Sequence, residues 1–246
     1  MLDFPLATFV RFFENHGLLT INDQPQWHTV DGGSRVYVAQ LAAAILANGG
    51  EIRTGARIER VSRNNGTVKV KPAGQEGQSF DDVVFACHSD QALALMDDPD
   101  ADEQRILGAM RYAPNTVILH DDPSVMPKRR VCWASWNYQG KANITDPDMT
   151  VTYWMNRLQG IPDEIPLFVT LNPSTPIRDE YVFDETVLSH PMFDQPAIDA
   201  QAALPGIQGR RNTWFCGAYS RYGFHEDGLL SAVTVARAMG AAPAWA

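Results

Sequence analysis

Between Phe215 and Ala232 the chain reads FCGAYSRYGFHEDGLLSA, and here its residue types and spacing come closest to a working site. An apolar strand ends at Gly217, a loop containing Gly223 and Phe224 crosses, and a helix is expected to open near Gly228 and Leu229. The first N–H groups of a helix have no partner within it, and its positive dipole end faces outward. Such an end attracts anionic or carbonyl oxygen. Tyr222 and His225 stand beside it and are the candidates for contact with a reacting molecule, one a hydroxyl and the other an imidazole able to hold or move a proton. Glu226 and Asp227 precede the glycine, and Asp227 is placed to act as an N-cap. His225-Glu226 begins like the zinc signature HExxH, but position 229 is leucine, so the second histidine is missing from the helical face and no metal is expected. The carboxylate pairs at Asp97-Asp98, Asp121-Asp122 and Asp146-Pro147-Asp148 lie in turn-like contexts, which suit turns and solvation better than acid–base work.

The elements that must position this segment belong to a chain of ordinary globular composition, 246 residues with 45% hydrophobic and 20% charged. A net charge of −9 with a single basic run, Lys128-Arg129-Arg130, argues against a nucleic-acid or anionic-membrane surface. Cys87, Cys132 and Cys216 lack CxxC spacing and sit among apolar residues, so structural thiols in a reducing cytoplasm are expected. The sequence offers neither a signal peptide nor an apolar run of membrane-spanning length.

Along the chain, Phe4 to Phe13 reads as a short apolar helix, and Val30-Asp31-Gly32-Gly33-Ser34 leads into an alanine-rich helix from Arg35 to Ala47. A short strand is expected at Glu51-Ile52-Arg53. Two strands flanking Asn64-Asn65-Gly66 alternate with period two and predict a hairpin. Asp81 to Cys87, a continuous apolar run behind acidic residues, suits a strand buried on both faces of a parallel sheet. After Ser89 come two short helices and then strands at Asn115 to His120, Arg130 to Tyr138, Met149 to Asn156, Leu167 to Leu171 and Glu180 to Leu188. A helix from Gln195 to Leu204, a strand near Thr213 to Cys216 and a last helix from about Asp227 to Met239 complete the chain. The α/β pieces, 21–90 and 208–246, are expected to form one domain, interrupted by a second made of 1–20 and 91–207.

Taken together, these segments resemble the FAD-dependent amine oxidase superfamily. Gly217 followed by Gly223 through Ser231 resembles its C-terminal flavin-binding motif. Val30 to Ser34 is similar to its Gly-Gly segment, Gly55 to Val61 to its adenine-side strand, and Asp81 to Ala86 to the strand that follows. Ser135 to Tyr138, Thr152 to Asn156 and Tyr222 to Gly228 resemble a bacterial branch of predicted NAD/FAD-dependent oxidoreductases within it. The resemblance covers essentially the whole chain. It implies an α/β plus α+β fold, a partial FAD-binding Rossmann-like domain interrupted by a mixed-sheet substrate domain. It also implies that Gly217 and Ala218 lie near the phosphate and ribityl chain, that Gly228 and Leu229 offer N–H groups to the flavin pyrimidine, that Ile58 holds adenine through its backbone, and that Gly32, Gly33 and Ser34 lie near the ring. Gly223, Phe224, Glu226 and Asp227 belong to the same cofactor loop.

The superfamily opens with a strand and a GxGxxG turn, and no two glycines here are separated by a single residue. The expectation is therefore the C-terminal portion of a longer flavoprotein, with Met1 an internal or misassigned start or a deliberate boundary. Its partners would be a small-molecule substrate and the missing N-terminal lobe of the same protein. FAD binding would be weak or absent without that lobe, and apolar surface would be left exposed. Amine-oxidising members place a lysine in a substrate-domain strand, whereas Asn115-Thr116-Val117-Ile118-Leu119-His120 has none, so desaturation, dehydrogenation or isomerisation stays open. The alternative is a cofactor-free binding or interaction module derived from the same fold.

Overall fold

In a computed structural model of the chain, residues 5–22, 26, 28–64, 66–140 and 149–243 are described. The expected turn residues Asp23, Gln24, Pro25 and Asn65, and the pair Asp146 and Asp148, lie outside them, as does Phe4 at the start of the first helix. Two compact units are present. One takes its residues from Pro25–Ile52 and Ala113–His190, the other from Leu2–Gln24, Arg53–Tyr112 and Pro191–Ala246.

The second unit holds most of the core and the cofactor-like segment. Its helix α1 is Leu6–Asn15. The hairpin β1 (Ile58–Asn64) and β2 (Thr67–Pro72) pairs antiparallel, and β2 pairs onward with β3 (Gln78–Phe80), a strand too short to show a period in sequence. β4 (Val83–Phe85) lies parallel to β10 (Thr213–Phe215), with Phe85 opposite Phe215 and their rings stacked at 5.6 Å. Helices α3 (Ser89–Leu95), α4 (Ala101–Ala109) and α6 (Gln195–Ala203) close over this pair, burying Ile106, Leu107 and Leu204 with Val61 and Val68 of the hairpin. α7 (His225–Ala238) follows β10.

Only two parallel strands are found among the described residues, and Val84 is 40% exposed, so β4 is not buried on both faces as its apolar run suggests. The outer edge of β10 is closed by a side chain. The Gln208 amide accepts from Phe215 N at 2.9 Å and donates to Phe215 O at 2.7 Å, replacing one rung of a neighbouring strand. The unit is further tied by a buried ion pair. Arg63 donates to both carboxylate oxygens of Glu103, at 2.5 and 2.8 Å, where the two side chains are 1% and 0% exposed. Arg63 Nε also reaches Asp98 at 3.2 Å.

The first unit contains α2 (Ser34–Ala47) and a five-stranded sheet in the order β6 (Trp136–Gly140), β7 (Met149–Trp154), β8 (Phe168–Leu171), β5 (Tyr112–His120), β9 (Val182–Pro191). Tyr112 at the start of β5 and Pro191 at the end of β9 belong to the second unit. α2 buries none of its residues; Val38, Leu41 and Leu46 are each more than half exposed. Within the sheet, His120, Thr152 and Thr170 are fully buried and joined: His120 Nε2 lies 2.7 Å from Thr170 Oγ1, which lies 2.9 Å from Thr152 Oγ1. The Asp122 amide donates to His120 Nδ1 at 3.2 Å, which makes Nε2 the protonated nitrogen of the neutral ring. Arg178 clamps Asp122 with bonds of 3.0 and 2.9 Å and holds its carboxyl well below the usual range.

Several sequence expectations are corrected here. Glu51-Ile52-Arg53 is irregular, not a strand. The segment Arg130 to Tyr138 divides into a 3-10 turn at Arg130–Cys132 and the strand β6, and between them Trp133 bonds Pro127 O through its indole N–H at 2.7 Å. Residues after Trp154 form a short helix, α5 (Met155–Gln159), where a strand was expected to continue. Cys132 is exposed, whereas Cys216 is buried and Cys87 half-buried. No helix among the described residues is long and apolar enough to cross a membrane.

Candidate cofactor and substrate site

The segment after β10 is built by four contacts within the second unit. Gly217 N donates to Ser231 Oγ at 2.9 Å, and Ser231 Oγ donates to Gly228 O at 2.7 Å, so one hydroxyl joins the strand end to the first turn of α7. A 3-10 turn at Ala218–Ser220 then carries Tyr219 inward, where it is 4% exposed. A Cβ on Gly217 would stand 2.5 Å from Tyr219 Cε1, so the Tyr219 ring itself demands a glycine there. Gly223 has φ of 89°, and a Cβ there would also meet the Phe193 ring at 3.0 Å. Asp227, 5% exposed, accepts from Phe224 N at 3.0 Å and Tyr222 N at 3.3 Å, locking the loop.

This geometry changes two roles read from sequence. α7 begins at His225 with Phe224 in the N-cap position, so Asp227 is the third helical residue; its carboxylate reaches back to the loop instead of capping from in front. Gly228 N already donates to Phe224 O at 3.2 Å, and Leu229 lies one residue deeper in the helix. The amides without an acceptor among the described residues are those of His225, Glu226 and Asp227, three donors at the positive end of a 14-residue helix. That donor set fits a carbonyl or anionic oxygen of a bound group such as the flavin pyrimidine, and the residues present are compatible with one.

Tyr222 is half-buried and His225 exposed, beside this mouth. Ile58 opens β1 at an irregularity in the pairing and packs against the core of the same unit. Gly32 and Gly33, with φ of 84° and 81°, form the turn before Ser34 and α2 in the other unit. Ser231 and Tyr219 were not singled out in sequence. Ser231 follows Gly228 by three residues, one helical turn on the same face, which is the signal that marks it. The Tyr219 hydroxyl is buried with no partner among the described residues, and burial pushes its pKa well above the ordinary phenol value.

A parallel strand pair covered by helices, with amides unpaired among the described residues at a helix mouth beyond the carboxyl end of one strand, is an α/β arrangement. The sequence profile of the flavin containing amine oxidoreductases matches residues 4–130, just over half of the chain, and the chain belongs to that family. Among solved structures it is similar to a CLA-producing fatty acid isomerase from P. acnes, with TM-score 0.57 and 15% identity over 83% of this chain. It is also similar to a protein described as a protoporphyrinogen oxidase from Exiguobacterium sp. 255-15, with TM-score 0.61 and 13% identity over 95% of the chain. A reduced UDP-galactopyranose mutase gives TM-score 0.57 and 12% identity over 85%. The chain spans 52%, 58% and 52% of these three structures, little more than half of each. No curated protein matches it.

Proposed function

We propose that this chain supplies the ring-side half of an FAD-dependent oxidoreductase that takes a hydride from a small or apolar substrate. In this reading 21–90 and 208–246 are a partial FAD-binding domain, and 1–20 and 91–207 a substrate domain. The observation that carries it is the trio of amides at His225, Glu226 and Asp227 that are unpaired among the described residues. They would hold the pyrimidine side of the flavin, with Gly217, Ala218 and Gly228 lining the loop and Ile58 at the adenine. Bound flavin supplies two-electron acceptor chemistry, so the protein needs to orient, desolvate and tune the field. The amides and dipole of α7 stabilise negative charge at the mouth. Asp227, held by two loop amides, keeps Tyr222 and Phe224 in place, and Tyr222 and His225 face the substrate.

A lobe carrying the GxGxxG strand is the partner this reading requires, because no two glycines of the sequence are separated by a single residue as the pyrophosphate turn needs. With the β10 edge closed by Gln208, the β4 edge is where a further parallel strand would add. The test is a titration with FAD, read by flavin absorbance, of the 246-residue chain alone and together with the polypeptide encoded in frame upstream. Stoichiometric flavin in the second case and little in the first is expected. No flavin in either would favour the cofactor-free binding module.

A further inference from the structure

We infer that α1 and the loop before α7 recognise the carboxylate end of an amphiphilic molecule through Arg11 and Arg221, and this rests on the functional reading above only in calling that molecule the substrate. The guanidinium carbons of Arg11 and Arg221 lie 5.8 and 5.0 Å from the centroid of the Tyr222 ring. Two cations on one ring repel each other unless anions lie between or beside them. Arg11 has one such neighbour, Glu14 Oε2 at 2.8 Å. Arg221 has only Asp227 Oδ1, at 3.8 Å, beyond hydrogen-bond reach, and Asp227 is already engaged by two loop amides. The Arg221 guanidinium thus has no hydrogen-bond acceptor among the described residues, and its planar fork matches a carboxylate in two-point geometry.

An apolar path leads away from this cationic end. Ring centroids step from Phe224 to His16 at 5.0 Å, to Phe12 at 4.0 Å, to Phe13 at 5.9 Å and to Phe9 at 4.6 Å. Phe9 and Phe12 are each 39% exposed, so the path is open to a ligand along α1. A charged head fixed at Tyr222 and an aromatic wall beside it select a carboxylate with an apolar tail over a neutral or cationic amphiphile.

The experiment is calorimetric titration of the 246-residue chain with dodecanoate, dodecanol and dodecyltrimethylammonium below their micelle concentrations. Dodecanoate is expected to bind at one site, with the other two weaker by about tenfold or more. Arg11→Met and Arg221→Met are each expected to weaken dodecanoate about fivefold to tenfold and leave dodecanol unchanged. Both side chains are about half exposed, so the fold does not depend on them. Should either variant melt early, Arg11→Lys and Arg221→Lys carry the same comparison, keeping charge and losing the fork. Equal affinity for all three amphiphiles, or variants indistinguishable from the parent, overturns the inference. Absent dodecanoate binding, with flavin still taken up when the chain is joined to the upstream polypeptide, would sink this inference alone, whereas dodecanoate bound to the chain with no flavin even in that assembly would sink only the oxidoreductase reading.

Discussion

The hydroxyl of Ser231 accepts the amide hydrogen of Gly217 at 2.9 Å and passes its own hydrogen to the Gly228 carbonyl, coupling the end of β10 to the first turn of α7. The orientation of the helix mouth therefore depends on one small side chain. Ser231→Ala leaves the Gly217 N–H unpaired at a half-buried position and is expected to destabilise by about 1 kcal/mol, read as a lower urea midpoint. Ser231→Thr, which keeps the hydroxyl, restores most of it.

Gly217 and Tyr219 are a matched pair. Gly217→Ala drives a methyl into the Tyr219 ring, which is 2.5 Å away, and is expected to cost about 1–3 kcal/mol by overpacking. Tyr219→Phe removes a buried hydroxyl without a partner among the described residues, so thermal melting should show unchanged or higher stability. A fall in melting temperature would mean that this hydroxyl has a partner.

Arg63 and Glu103 form a desolvated pair whose members are costly alone. Arg63→Met is expected to lose about 3–5 kcal/mol, because it strands the Glu103 carboxylate. The double variant Arg63→Met with Glu103→Leu should lose far less than the sum of the single changes. A double-mutant cycle in urea measures the coupling.

Stability of the first unit is expected to fall in mild acid. Burial lowers the pKa of His120, opposed by Asp122 and Asp121, so the neutral ring is the folded form. The stabilisation is complete above the unfolded histidine pKa of about 6.5 and is lost as pH falls toward the lowered folded value. Asp122, whose pKa is also depressed, adds a second loss below about pH 3.9. Melting curves between pH 8 and 5 should drop for the parent and stay flat for His120→Gln, which cannot take the proton.

The hairpin, the parallel pair and the long helices are legible in sequence because each has a period, an apolar run or an alanine-rich stretch with a glycine stop. Val83 to Phe85 reads as a strand at once, yet its exposed face at Val84 is invisible, since a three-residue run says nothing of how many neighbours flank it. β3 and α5 are too short to carry a period. The N-cap of α7 lies three residues earlier than the sequence suggests, at Phe224, because Asp227 looks like a cap in sequence while its carboxylate points back to the Tyr222 and Phe224 amides. The roles of Ser231, Gln208 and Arg221 depend on side-chain direction across the fold, which no local pattern encodes.

The central claim is that the free amides opening α7 hold the cofactor, and His225 is the position that tests it most directly. Phe224 has φ −85° and ψ 162°, a conformation that tolerates a following proline, and the first helical residue accepts proline without loss of a helical bond. His225→Pro therefore removes one amide donor, and His225→Ala removes only the side chain. The measurement is the flavin dissociation constant of the two variants, each assembled with the lobe that carries the dinucleotide turn. Weaker flavin binding in His225→Pro than in His225→Ala, at equal thermal stability, is the predicted result; equal affinities would contradict the account.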